Sequence, residues 1–462
     1  MIFMKLYAVY SSLLPSTKGM TMAVVIPEEF LAAFNCVWQL PADMDQDIII
    51  KSKEFHQLRL AIDIHCYAKI KGNLFEPYLL WGLKKLGVPC FFTAGSPLAA
   101  TDMDVTAMRC YEALMRRHVR QTYLCPLDCA GEIPEITFGN SSIKRFSKSE
   151  LDVLLNSTQL QRQSGYTSAD TGALSQFLWL MVEHDEGLYS DFAKRYWFWF
   201  TSKDKPGTVY PYKHHYPEAV ENAIFLLMLA PWEEWLVNEE YHWRPFDIPW
   251  VHTLSGDIFP QQQPIPSASS LTWVPHSYTD ENGNWHEYDA PHEYNISLIS
   301  EQLMPFLDSQ ACNHLETALI RGLINVAARH QFVKAFLSDG VDEFLAHIVV
   351  IDACVGEKSV NGTLEKKFKR LGTTGRLKYR LVGLLNDVSV KKSIDILYEA
   401  RSNYVHGDTL DKILGEHILL ARILARKTLS AIISETSQLS GLTREEFLDD
   451  LLQRGWKYIE DV

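Results

Sequence analysis

The spacing of apolar residues changes character twice along the chain. Over residues 1–150 it is mixed. "LYAVYSS", "MAVVIP" and "EITFGNSSIKRF" have the make-up of strands, the last folding back at Gly139–Asn140. "FEPYLLWGLKKLG" and "DVTAMRCYEALMRRHVRQTYL" carry helical spacing, and Gly87 is placed to close the first of these helices. "SKSELDVLL" sets an acid three positions beyond a serine, the pattern of a capped helix start.

From 151 to 294 aromatic residues dominate. Nine of the twelve tryptophans lie between Trp179 and Trp285, densest at "RYWFWF" and "PWEEWL". Rings in such number either fill a core or offer stacking platforms for bases; the acidic surround favours the core. "FDIPWVHTLSGDIFPQQQPIPSASSLTWVP" reads as a long connection.

After residue 295 the pattern is helical. "HLETALIRGLINVAARHQFVKAFL" keeps a stripe at Leu315, Leu319, Leu323 and Val326, and "GVDEFLAHIVVIDACVGE" is nearly all apolar, as a central bundle helix is. A basic hairpin interrupted at Gly372–Gly375 follows, then "VKKSIDILYEARSNYVHG", then a long helix from "DTLDKIL" with Asp408 or Thr409 as its cap. The expected fold class is α+β. A mixed α/β part (1–150) and an aromatic-rich, partly helical segment (151–294), which are continuous or separate, precede an antiparallel all-α bundle (295–462). No internal repeat is evident.

Composition narrows the class. Of 462 residues, 47% are apolar and 22% charged, which suits two or three domains with buried cores rather than disorder. No apolar run reaches bilayer length, the first residues lack a basic leader, and eight scattered cysteines suit reduced thiols; the expectation is a cytoplasmic protein. The net charge of −13 argues against a nucleic-acid coat. From Glu293 onward, however, 21 basic residues face 23 acidic ones, leaving −2 there and −11 before it. Any RNA contact belongs in the last part.

That part holds "YEARSNYVHGD", with Arg401 and His406 five apart and Gly407 behind. Spacing alone says little: 19 arginines and 16 histidines give about two pairs at separations of five to seven by chance. Arg59 and His65 in "LRLAIDIHCY" are one, in an amphipathic element. Arg401–His406 differs in context. A helix ending at Gly407 puts His406 on its last turn, near the negative end of the helix dipole. Upstream, Lys366, Lys367, Lys369, Arg370, Arg376, Lys378, Arg380, Lys391 and Lys392 form a basic stretch that can hold a phosphate backbone, or simply a solvated helix face.

"LYEARSNYVHG", ahead of the final long helix of an α-bundle, resembles the Apea-like branch of the HEPN superfamily, whose motif is an arginine, four to six residues, then a histidine. "EITFGNSSIKRFSKSELDVLL" is more loosely similar to the N-terminal region of those proteins. The resemblance implies a metal-independent endoribonuclease, often an effector of bacterial abortive-infection defence against phage. It also implies a homodimer whose two Arg–His pairs line one cleft. By position Arg401 and His406 are the catalytic pair. Ser402, Asn403, Arg376, Lys378 and Arg380 are the candidate RNA contacts. Ser402 stands where the family often has Asn, Asp or His, so the alternative is a non-catalytic RNA- or nucleotide-binding or dimerising sensor module.

The residue types suit RNA cleavage. The 2′-hydroxyl is the nucleophile, a histidine near neutrality moves protons, and an arginine fork matches phosphate oxygens as charge builds. No cofactor, metal or membrane is expected; residues 1–294 would meet a trigger, such as a phage protein. "NWHEYDAPHEYN" crowds potential ligands but lacks the helical HExxH spacing and reads as a polar loop. Cys125 and Cys129 have no second pair with which to hold zinc.

Overall fold

The computed structural model describes residues 25–66, 75–163, 166–187, 207–211, 215–236, 243–296, 300–356, 368, 371–406, 413–436 and 442–460. "LYAVYSS", most of "MAVVIP", "RYWFWF", Gly407, Asp408, Thr409, Lys366, Lys367, Lys369 and Arg370 lie outside them. By compactness the chain divides into Met1–Arg117 with Leu188–Phe200, and His118–Gly187 with Thr201–Val462. Neither division falls at residue 150 or 294.

The first unit contains α1 (Glu28–Trp38), α2 (Gln46–Lys51), α3 (Lys53–His65), α4 (Glu76–Leu86) and α5 (Met103–Met115). Asp45, Ser52 and Asp102 cap α2, α3 and α5 through their side chains, satisfying amide groups that have no partner within the helix. Gly87 closes α4 in the left-handed conformation, as its sequence predicts. Apolar residues one turn apart (Phe30 and Phe34, Leu58 and Ile62, Leu79 and Leu83) turn inward from their helices.

The second unit begins with a correction. The helical spacing read over residues 104–124 holds only to Met115; His118–Leu127 is strand β1. Its partners decide this, because β1 is paired on both sides, with β4 (Leu178–Gly187) and β6 (Val251–Ser255). With β2 (Ile136–Phe138), β3 (Ser141–Arg145) and β5 (Gly207–Val209) they form an antiparallel sheet in the order β2-β3-β4-β1-β6-β5. The turn between β2 and β3 falls at Gly139–Asn140, and α6 (Lys148–Leu155) opens with the Ser147–Glu150 capping box.

Both faces of this sheet are buried. Leu124 and Trp179 join a cluster with Phe146 and Trp250, while Tyr123, Cys125, Leu180 and Val182 belong to the core that continues into the helices. Trp179, Trp232, Trp243 and Trp250 are fully buried, and Trp235 and Trp273 pack against the same cores, so indoles of the aromatic segment serve mainly as core. The segment read as a connection contains β6. A separate hairpin, β7 (Trp273–Thr279) with β8 (Trp285–Pro291), follows.

The remaining helices are α7 (Glu218–Leu227), α8 (Ser300–Leu307), α9 (Ser309–Ile320), α10 (Val326–Phe336), α11 (Gly340–Val355), α12 (Thr373–Leu385), α13 (Val390–Val405), α14 (Gly415–Glu435) and α15 (Arg444–Glu460). The stripe from Leu315 to Val326 is two helices, not one. Gly322, at φ +66°, turns the chain, and Asn325 caps α10 through the Ala328 amide at 2.7 Å. α11 is central, with Phe344, Ile348, Ile351 and Val355 buried alongside Ala346, Val350 and Cys354. α12 and α15 cross at Gly383 and Gly455; a methyl group on Gly455 would lie 1.8 Å from the Tyr379 carbonyl oxygen. The architecture is α+β, an antiparallel sheet followed by packed helices that share one hydrophobic core with it.

Candidate functional site

α13 carries the motif. Val390, Ile394, Leu397 and Ala400 are its buried positions, spaced to face the bundle. Arg401 adjoins that face and is half-buried; Ser402, Val405 and His406 are exposed and Asn403 is half-buried. The helix ends at Val405. His406 is its C-cap residue, donating its backbone N–H to the Ser402 carbonyl at 3.0 Å.

Asp352 of α11 organises the arginine. Its Oδ2 accepts from Arg401 Nη1 at 3.4 Å, and its Oδ1 accepts a short bond from the Tyr398 hydroxyl. The Arg401 guanidinium also lies 5.8 Å from the centre of the Tyr398 ring, one turn earlier on the same helix. Burial, the Asp352 charge and that hydrogen bond all push the Tyr398 phenol well above its ordinary range, so it remains a donor. The Arg401 side chain keeps 39% of its surface open and Asp352 keeps 34%. In water such a pair contributes little, roughly 0–1 kcal/mol, and an arriving phosphate can compete for the guanidinium.

His406 lies five residues on, about 140° around the helix from Arg401. Among the described residues its ring has no hydrogen bond or ion pair. On helix geometry the two side chains therefore leave α13 in different directions.

The other sequence candidates separate. Lys378 of α12 is ion-paired with Asp395 of α13, and Arg376 donates to the Leu371 carbonyl at 2.9 Å. Arg380 must be removed from the RNA contacts. It is 1% exposed, with Nε on the Leu448 carbonyl at 3.2 Å and Nη1 on the Val355 carbonyl at 2.8 Å. It ties α12 to the end of α11 and to α15, and solvent cannot reach it. "NWHEYDAPHEYN" is strand β8 rather than a loop for most of its length; among the described residues no three His, Cys, Asp or Glu side chains are grouped to hold a metal ion.

Sequence reasoning missed Asp352 and Tyr398. The signal was present: Asp352 is the only charged residue between Glu343 and Glu357, where burial should exclude a lone acid without a partner. A second buried set also escaped notice. Arg422 donates twice to Glu343 Oε1, at 2.9 and 2.7 Å, Arg426 forks onto Glu233 at 2.5 and 2.8 Å, and the Trp243 ring lies against both guanidinium groups. Burial pulls the Arg422 pKa down, and Glu343 opposes that. This network joins α11 and α14 to the turn at Trp232–Glu234 and is structural. Among the described residues no helix is long and apolar enough to cross a membrane. Comparison with known protein families, curated proteins and solved structures found no match to this chain.

Proposed function

We propose that this protein is a metal-independent endoribonuclease of the Apea-like HEPN type, acting in the cytoplasm as a bacterial anti-phage defence effector. The observation that carries the reading is the state of the motif. Arg401 is oriented by Asp352 and Tyr398 yet keeps an open face, and His406, exposed at the end of the same helix, has no side-chain partner among the described residues. In this reading RNA lies across the end of α13. Arg401 takes the phosphate oxygens, Ser402 and Asn403 contact the backbone, and Lys378 and Arg376 supply positive charge beside it.

In this reading the working site is composite, because Arg401 and His406 leave α13 in different directions. A homodimer places the arginine of one copy beside the histidine of the other. One His406 removes the 2′-hydroxyl proton as that oxygen attacks phosphorus, and its twin protonates the departing 5′-oxygen. The products are a 2′,3′-cyclic phosphate and a 5′-hydroxyl.

The test is RNA cleavage in EDTA by wild type, by Arg401→Ala, by His406→Ala and by the two variants mixed after subunit exchange. Cleavage by wild type only, with none restored in the mixture, is expected, because a mixed dimer holds a single His406 and lacks either the base or the acid. Cleavage that survives His406→Ala, or an all-DNA analogue cut at a similar rate, overturns the proposal. RNA binding without cleavage by wild type would identify a non-catalytic module instead.

A further inference from the structure

The β7–β8 hairpin is built unlike the rest of the second unit. Among the described residues it pairs with no other strand, and all of Pro275–Thr279 and Trp285–Asp289 is exposed. An isolated two-stranded ribbon is at best marginal in water, yet this one is anchored at its base. Trp273 packs edge-on against Phe177 at 5.1 Å and donates from Nε1 to the Ala268 carbonyl at 2.9 Å. Just before it, Thr272 donates its N–H and hydroxyl to the buried Asp128 carboxylate at 3.0 and 2.9 Å. The base is anchored, and the rungs beyond it are exposed.

The exposed part is aromatic and acidic. On one face the register sets His276 opposite Tyr288 and Tyr278 opposite His286, with ring centres 5.6 and 5.1 Å apart and nearly parallel planes. The two tyrosines, 6.0 Å apart, join these pairs into a ladder of four rings. The other face carries Trp285, 65% exposed with its Nε1 on Glu287 at 3.3 Å, and Asp289. At the tip the Asp280 carboxyl is held down to about 2 by hydrogen bonds from His286 and Asn284. The hairpin's own charge is one-sided: between Trp273 and Pro291 there are four Asp and Glu residues and not one Lys or Arg.

These features select an occupant. Four exposed rings alone would suit single-stranded RNA, but a ribbon with four acids and no base repels a polyphosphate. A second copy of the same arm brings like charge to like charge. A guanidinium satisfies both features, because it stacks on a tyrosine or tryptophan face and forks onto a carboxylate. We infer that the β7–β8 hairpin is a docking arm for an arginine-rich polypeptide segment. The inference is independent of whether the bundle cuts RNA.

The test uses the full chain and three fluorescent probes: octa-arginine, octa-lysine and octauridylate. Octa-arginine should bind about fivefold more tightly than octa-lysine, since bulk charge attracts both but stacking favours guanidinium. Tyr278→Ser with Tyr288→Ser should erase that difference, and Tyr278→Phe with Tyr288→Phe should keep it. Glu287→Gln with Asp289→Asn, which preserves side-chain shape, should weaken octa-arginine even if the serine pair disturbs the ribbon. Equal binding of the two peptides, indifference to all three double variants, or octauridylate binding that the serine pair abolishes would overturn the inference.

Discussion

Two arginine–histidine pairs lie at helix ends in this protein, and their surroundings are opposite. On α3, Arg59 Nη1 meets Glu76 of α4 at 2.5 Å, the two side chains being 18% and 13% exposed, and His65 faces Glu29 at 3.6 Å. Each member of that pair is committed to its own carboxylate. At the end of α13, Arg401 has a longer, half-open contact with Asp352, and His406 has no side-chain partner among the described residues. Spacing in sequence does not distinguish the two pairs. What distinguishes them is how much of each group's hydrogen-bonding capacity the fold has already used.

The largest effect should fall on cleavage. His406→Ala should reduce the single-turnover rate on RNA by about 10²–10⁴-fold, the usual contribution of a general acid–base group. Arg401→Ala should cost about 10²–10³-fold through lost stabilisation of the charged phosphorane. Arg59→Ala with His65→Ala should leave the rate unchanged. Equal losses from the α3 and α13 variants would erase the contrast.

A second contrast separates arginines that serve the fold from one free to serve a ligand. Replacing Arg380 with Ala removes the donors for two buried carbonyls, those of Val355 and Leu448, and leaves a void. It should destabilise the protein by about 3 kcal/mol, read as a lower urea midpoint. Arg401→Ala should move that midpoint by less than about 1 kcal/mol.

Arg380 also shows how legibility in the sequence failed. Leu377, Leu381 and Leu384 make an inward stripe, and Arg380 falls within it at helical spacing, so the pattern placed it inside while its charge argued for the surface. Local signals were reliable: the Ser147 capping box, the Gly139–Asn140 turn, Gly87 and the apolar run of α11 all appear where the residues put them. Features set by distant partners were not. β1 is a strand because β4 and β6 flank it, α15 was not anticipated, and Asp352 acquires its role only when Tyr398 and Arg401 fold beside it. Within the motif, the sequence put Arg401 and His406 near the end of one helix but could not show that Asp352 and Tyr398 flank the arginine.

Histidines extend the comparison to pH. His252 of β6 is buried, with Nδ1 3.3 Å from the Thr208 hydroxyl, and burial lowers its pKa to about 4. Unfolding restores an ordinary value near 6.5, so the unfolded chain takes up the proton first as pH falls. The stability this neutral ring contributes is complete above about pH 6.5 and is lost progressively toward pH 4, a swing of up to about 3 kcal/mol. His252→Gln should flatten that part of the stability–pH curve measured by urea unfolding.

The finest distinction concerns Asp352, which both orients Arg401 and competes for it. Asp352→Asn keeps an oxygen for the Tyr398 hydroxyl but removes a negative charge beside the expected phosphate position. RNA should then bind about threefold more tightly, a change of well under 1 kcal/mol, as suits a screened, half-exposed pair. Cleavage once RNA is bound should slow by a similar factor, because the guanidinium has lost its anchor. If Asp352 acts through Arg401, the substitution should have a smaller effect in an Arg401→Ala background, with a coupling of about 0.5 kcal/mol in a double-mutant cycle on RNA affinity. Strict additivity would mean that the carboxylate and guanidinium act on RNA separately, and the open face of Arg401 would lose its claim to be a phosphate site.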